Sequence, residues 1–324
     1  MRFESDTEGR KQVTDAQMAR LPVATIANGH TLELVTHRIR GRAGEGPTLG
    51  LIAGIHGDEP LGVETVRRFV AELDPSTFSG QLFVLPVANP YAFQGLTRNT
   101  PIDMSNLNRV FPGDAGGMLT DQLAHAIVEL IVPNCDYLID FHSGGNLATV
   151  DYVYLHDTDG LAEAFGCEIL FRGPSYPGSL GDYCRTNGVP TIVSELGGGQ
   201  QLNAHYVEKG LRGIRNVMKK LGMLLGEPEV PEQQVVVDEL IILRPHHGGL
   251  MLSSVEPARL GEAVAAGTEL GRVVSPYTFE VLETITAPFD PSLVVLVRES
   301  VTKVDPGDYG FMVANGAGSV PVER

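Results

Sequence analysis

Two spacings of apolar residues alternate along the first two thirds of this chain. Residues 48–53, 81–87, 137–141 and 191–193 are short, mostly apolar runs, the pattern of strands buried in a sheet. Between them, residues 60–73, 119–131 and about 203–225 repeat apolar side chains every three or four positions, which predicts helices packed by one face. In the first of these helices Pro60 stands at the start, and Val63, Val66, Phe69 and Val70 share the stripe. Residues 23–26 and 31–35 flank Asn28-Gly29, a strong hairpin signal. Residues 1–20 read as a loosely held arm or short helix, and residues 150–188 as short apolar runs among loops. Residues 88–118 form a connection too long to serve only as one.

The spacing changes after residues 227–232, a charged stretch that carries Pro228 and Pro231 and reads as a linker. Beyond it, short strand-like runs are separated by glycine turns, with no helical period. The fold class is therefore α/β over residues 1–227, a mixed sheet flanked by helices, with a smaller all-β domain over residues 235–324. Residues 264–271 and 304–310 resemble each other weakly, which suggests a quasi-symmetric barrel-sandwich-like unit.

Composition narrows the function. With 40 acidic against 24 basic residues and a net charge of −16, the chain is a poor match for nucleic acid or an anionic membrane surface. No apolar run reaches the ~20 residues that span a bilayer. Residues 1–6 are polar, without the apolar core of a signal peptide. Cys135, Cys167 and Cys184 are odd in number and scattered, which points to reduced thiols and a cytoplasmic protein. Edge strands in both domains leave room for a homo-oligomer.

The chemistry gathers where the predicted strands end. His56 and Glu59 lie on the turn between the strand of residues 48–53 and the helix that follows, and Gly57 lets the backbone bend closely around them. Two further H-x-x-E spellings lack that setting. His30 and Glu33 sit in a strand-like run, where residues three apart face opposite sides, and His205 and Glu208 lie on a helix surface. His142 follows the strand of residues 137–141 and precedes Gly144 and Gly145. Two histidines and a glutamate at strand ends form a recognised catalytic zinc set with one position left open. Glu195 ends the strand that begins at Thr191, where a carboxylate can act as general base. The long loop supplies Arg98, Asn108 and Arg109, donors suited to a carboxylate. His246 and His247 are adjacent, so in a strand they diverge rather than share a metal.

Taken in order, G-x-H-G-x-E, then R…N-R-x-F-P-G, D-x-H-S-G and a strand-end E-x-G-G, the chain resembles the succinylglutamate desuccinylase/aspartoacylase family of zinc hydrolases, within the wider metallocarboxypeptidase fold. The resemblance covers essentially the whole chain, with the catalytic part at about residues 45–225. It implies a zinc-carboxypeptidase-like sheet and one zinc ion per chain, held by His56, Glu59 and His142. It implies Glu195 as general base and Arg98 as the group that polarises the scissile carbonyl. Asn108 and Arg109 would bind the substrate carboxylate, and Tyr277 is the candidate for a tyrosine reaching the substrate from the C-terminal domain. The implied substrate is a small N-acyl amino acid, cleaved at its amide or an ester. One departure is Asn106, where the family often has aspartate; Asp103 is nearby but offset. The rival readings are a metallocarboxypeptidase acting on small peptides and a carboxylate-binding protein without catalysis. A lipoyl- or biotin-type carrier is disfavoured because Lys303 lacks the usual Met-Lys turn.

Overall fold

The Asn28-Gly29 pair closes a hairpin as its chemistry predicts. In the computed structural model, Gly29 takes φ +84° between the antiparallel strands β1 (Ala16–Thr25) and β2 (Thr31–Arg40). The structure describes residues 16–156, 159–174, 176–199, 204–299 and 301–322. The arm read over residues 1–20 lies outside the described residues as far as residue 15, and from Ala16 the chain is already in β1. Residues 17–20 are exposed on this edge strand, Met18 included, so no buried face imposes an alternating pattern there.

There follow β3 (Gly44–Ala53), α1 (Pro60–Glu72), β4 (Ser79–Leu85), α2 (Pro90–Gly95), α3 (Leu119–Ile131) and β5 (Tyr137–His142). Next come β6 (Ala148–Thr149), β7 (Tyr152–Tyr154), α4 (Leu161–Phe165), β8 (Ile169–Phe171), α5 (Leu180–Thr186), β9 (Thr191–Glu195) and α6 (Ala204–Lys220). Strands β4, β3, β5 and β9 lie side by side and parallel. Strand alternation divides their side chains between two layers. Leu51, Val84 and Phe141 join the core shared with α1 and α6, whereas Ile52, Phe83 and Leu138 join the core shared with α3 and α5. Leu51 and Ile52 are 0% exposed, and burial of such a side chain stabilises by about 1.5–3 kcal/mol. Covered on both faces, these strands show continuous apolar runs.

The remaining strands are β10 (Val235–Val237), β11 (Leu240–Leu243), β12 (Gly249–Ser253), β13 (Ala263–Val264), β14 (Glu269–Val274), β15 (Val281–Thr286), β16 (Ser292–Val297), β17 (Thr302–Val304), β18 (Phe311–Asn315) and β19 (Val320–Pro321). β10 pairs with β8 and β19 with β10, so two strands from this stretch extend the large sheet, which has ten strands among the described residues. The others form two small sheets, ordered β11-β18-β16-β13 and β15-β14-β12-β17. Val294, Phe311 and Val313 of the first share a core with Met251, Leu270 and Val273 of the second. The other face of the first, through Leu296, Met312 and Ala314, packs on Tyr152, Ile169 and Phe171 of the large sheet. β6 adds to its edge, pairing Thr149 with Leu296 and Ala148 with Val297.

The two segments read as similar contain matching turns, with Gly267 at φ +80° and Gly307 at φ +88°. His246 and His247 lie in a turn braced by Glu283, which accepts hydrogen bonds from both backbone amides, at 2.7 and 3.3 Å. No helix among the described residues is long and apolar enough to cross a membrane.

Cys135, Cys167 and Cys184 are free and buried. Burial pushes the Cys135 thiol up to about 12 and raises the other two as well. Only thiolate reacts with a disulfide reagent. At pH 8 such a reagent is therefore expected to titrate no thiol in the folded protein and three after denaturation; rapid labelling of the native form would contradict this burial.

Candidate metal centre and active site

His56, Glu59, His142 and Glu195 stand at or just after the carboxyl ends of parallel strands, where open α/β sheets place their sites. Beyond β3 the chain turns at Gly54, with φ +68°, and delivers His56 and Glu59 before α1. Gly57 is required by close approach, since a Cβ there would lie 1.8 Å from the Ala92 carbonyl carbon. His142 and Glu195 are the last residues of β5 and β9 and lie opposite each other in register. The loop after β4 carries Arg98, Asn106, Asn108 and Arg109, the last two within a short 3₁₀ turn.

His56, Glu59 and His142 are each no more than 3% exposed. Their donor atoms all lie within 4.8 Å of one another. Glu59 bridges the two rings: Oε1 is 2.7 Å from His56 Nδ1, and Oε2 is 2.9 Å from His142 Nδ1. Oε2 also accepts from the Ser143 backbone amide at 3.1 Å. The outer ring nitrogens have partners of their own. His56 Nε2 is 3.1 Å from Asn106 Oδ1, and His142 Nε2 is 3.2 Å from Asp140 Oδ2. The Asn106 oxygen is identified by its second bond, from the Asn108 amide at 2.9 Å. With Nε2 donating to those acceptors, each Nδ1 turns a lone pair toward a carboxylate oxygen. A proton on Nδ1, a neighbouring guanidinium or a metal ion among the three donors makes that contact favourable, and the donor set is of the kind with which imidazole and carboxylate hold a divalent metal.

The charges around the centre shift its acids and bases. Burial alone would raise Glu59, but His56 and His142 beside it hold its carboxyl well below the usual range. Burial alone would lower His142, yet Asp140 and Glu59 raise its pKa well above the ordinary imidazole value. Burial pushes Glu195 up to about 7, against the opposing pull of His142. A carboxylate in that range is suited to exchange a proton near neutral pH.

The candidate substrate residues converge on the same cavity, of about 660 Å³, which is lined by His56, Glu59, Arg98, Asn108, Arg109, His142 and Glu195. Arg98 Nη1 reaches Glu59 Oε1 at 3.1 Å and His56 Nδ1 at 3.3 Å. Asn108 Oδ1 accepts from the Leu180 amide at 2.9 Å, which turns its amide nitrogen to 3.4 Å from His142 Nε2. Arg109 donates to the Asn108 carbonyl at 2.7 Å and lies over the Tyr176 ring, 5.5 Å from its centroid. Tyr277 is 88% exposed in the β14–β15 turn and does not line the cavity; Tyr309 is the C-terminal tyrosine that does. Asp103 accepts from Thr120 through its backbone amide at 2.8 Å and its hydroxyl at 2.6 Å, so it fixes the start of α3.

Asp140 opens the D-x-H-S-G motif, where the sequence gives it no role of its own, and its position two residues before His142 on one strand puts both on one face. The tyrosines of β7, Tyr152 and Tyr154, also line the cavity and share the same alternation.

The model of the succinylglutamate desuccinylase/aspartoacylase catalytic domain matches residues 45–221. The chain is 29% identical over 248 residues to the N-alpha-acetyl-L-2,4-diaminobutyric acid deacetylase of Halomonas elongata, covering 72% of each protein. It is similar to the crystal structure of a succinylglutamate desuccinylase/aspartoacylase from Rhodobacter sphaeroides, with a TM-score of 0.82, 26% identity, and 96% of this chain and 98% of that one covered. The product-bound ectoine utilization protein of Ruegeria pomeroyi gives a TM-score of 0.82 at 25% identity, with the same shares covered.

Proposed function

Since the chain belongs to the succinylglutamate desuccinylase/aspartoacylase family, we propose that it is a zinc-dependent deacylase that hydrolyses the acyl-amide bond of a small N-acyl amino acid. The observation that carries this reading is the buried set of two imidazole nitrogens and one carboxylate facing one another, with Glu195 at the same cavity. The deacetylase activity named for the Halomonas elongata relative supports the choice of bond.

His56, Glu59 and His142 would hold the ion through Nδ1, carboxylate and Nδ1. When bound, zinc supplies Lewis acidity and lowers the pKa of water toward ~7. Asn106 and Asp140 keep both imidazoles in the tautomer that ligates. Glu195 accepts the proton of the attacking water and returns it to the departing amine. Arg98 donates to the carbonyl oxygen as negative charge builds there, usually the largest contribution in such reactions. Asn108 and Arg109 grip the substrate carboxylate and so fix the amide in place. Tyr309, rather than the exposed Tyr277, is the C-terminal tyrosine this reading brings to the substrate.

The finer structural assignments belong to the same proposal: a zinc-carboxypeptidase-like catalytic unit over residues 1–227, and a barrel-sandwich-like unit over residues 235–324. Leu240, Ile242, Leu296 and Met312 of the second unit line the cavity, which favours a small substrate over a long peptide. Free, buried cysteines fit a cytoplasmic location.

A panel of N-acetyl and N-succinyl amino acids, followed by amine release, tests the activity. The expected result is turnover that a chelator abolishes and zinc restores, with about one zinc bound per chain. Turnover indifferent to chelation, or metal without any amine release, would overturn the assignment.

A further inference from the structure

Glu195 stands in a row of side chains that crosses three neighbouring strands. His142 of β5 lies opposite Glu195 of β9, and Glu195 lies opposite Tyr152 of β7. Partners in register point to one face of a sheet. Among the described residues no hydrogen bond steers the Glu195 carboxyl. Its place therefore follows from where the strand ends are held.

Beyond β5 and β9 the chain continues as Ser143-Gly144-Gly145 and Leu196-Gly197-Gly198-Gly199, and these segments stay paired. The Leu196 amide donates to the His142 carbonyl at 2.8 Å, Gly144 to the Gly197 carbonyl at 2.7 Å, and Gly199 to the Gly145 carbonyl at 2.9 Å. A Cβ on Gly198 would lie 2.2 Å from the Leu147 carbonyl oxygen and 2.8 Å from the Gly144 Cα. Gly197 has φ +62°, and a Cβ on it would meet the Tyr206 ring at 2.2 Å. Glycine backbone is the most freely moving of all, so hydrogen bonds among glycines hold a strand end loosely unless a side chain packs on it.

That side chain comes from α6. Val207, Leu211, Ile214 and Val217 bury this helix in the core it shares with β3 and β5, so the Tyr206 ring rests on a fixed support. One turn on, Lys209 Nζ reaches Asp151 Oδ1 at 2.6 Å, with the two side chains 16% and 2% exposed. Lys209 also lies 5.9 Å from the Tyr206 ring centroid. Asp151 immediately precedes Tyr152. The helix thus touches both sides of Glu195: the backbone just past it through Tyr206, and the start of the neighbouring strand through Lys209 and Asp151. None of these three residues lines the cavity.

We propose that Tyr206 and the Lys209–Asp151 pair are positioning residues for Glu195, clamping its strand end against that of His142 so that the carboxyl stays at one distance from the substrate. This rests on the deacylase reading, with Glu195 as its base. The effect is large for residues so far from the chemistry, because a shift of about 1 Å at a reacting group can cost about 10²-fold in rate.

The test measures kcat, KM and bound zinc for Tyr206→Ala, for Tyr206→Phe and for Lys209→Met combined with Asp151→Asn. Tyr206→Ala is expected to lower kcat about ten- to hundredfold, with KM and zinc content kept. Tyr206→Phe keeps the ring on Gly197 and is expected to retain most of the rate. The combined exchange removes both charges and leaves neither buried alone, and its kcat is expected to fall as well, even where Tyr206→Ala folds poorly. In a Glu195→Gln background the Tyr206→Ala loss is expected to vanish, since a residue that acts through Glu195 then has nothing to position. A loss of equal size in that background, or a rise in KM alone, would overturn the proposal. Hydrogen exchange supplies a readout that needs no turnover. Peptides covering residues 142–147 and 195–199 are expected to exchange about tenfold faster in Tyr206→Ala than in Tyr206→Phe. That result supports the clamp even in a protein that cleaves nothing, and unchanged exchange refutes it.

Discussion

Replacing Glu195 with glutamine is expected to lower kcat on the best N-acyl amino acid about 10²- to 10⁴-fold, the usual contribution of a general base, while bound zinc and thermal stability are kept. The amide has the same shape but cannot take a proton. Glu195 lies at the end of β9, opposite His142, yet it is absent from the group whose donor atoms converge. Metal retention therefore separates its role from that of a ligand. Stability should hold as well, because burial already disfavours the charged carboxyl, as its rise to about 7 indicates. Kinetics with parallel metal analysis checks both halves. More than a tenth of wild-type activity in the variant would place the base elsewhere, and loss of zinc would make Glu195 a ligand.

Glu59→Ala is expected to have the broader effect: zinc content near zero, activity at background, and a less stable fold. Glu59 is the only acid that touches both the His56 and His142 imidazoles among the described residues, and it also meets the Ser143 amide and Arg98. Removing it strands several buried polar groups at once. Breaking a buried charged pair typically costs about 3–5 kcal/mol. Wild-type protein should gain thermal stability from added zinc, because a ligand that binds only the folded state stabilises it. The variant should gain none. Melting curves with and without zinc make the comparison, and a variant that still binds one zinc per chain would sink the metal assignment.

The grouping of His56, Glu59 and His142 was legible because each lies at a strand end marked by a neighbouring glycine, a signal that survives without knowing how strands pair. Asp140 was equally readable through strand alternation. Other features depended on long-range pairing. β1 starts with Ala16, Gln17, Met18, Ala19 and Arg20, too few large apolar residues to mark a strand, and only its pairing with β2 identifies it. β10 and β19 are short, and only their partners place them in the large sheet. Tyr309 carries no motif that would set it beside Tyr277 as a candidate, since which part of the small sheets faces the cavity depends on long-range pairing. Arg298, which lines the cavity, is hidden further: plain alternation from Val294 would put it on the opposite face, and the extra residue at Val295 reverses that.

The two-residue pairing of β6 with β16 has a consequence for recombination among relatives. The C-terminal stretch looks like a cassette, exchangeable at a crossover near residue 238 to transplant one cavity wall onto another catalytic centre. Yet Ala148 and Thr149 are paired with Val297 and Leu296, and they stand only a few residues beyond His142. A chimera must keep that seam in register, or the imported wall will pull on the backbone that carries His142. Wall and centre thus form one mechanical piece, so exchanging single side chains of the wall disturbs the centre less than exchanging the segment.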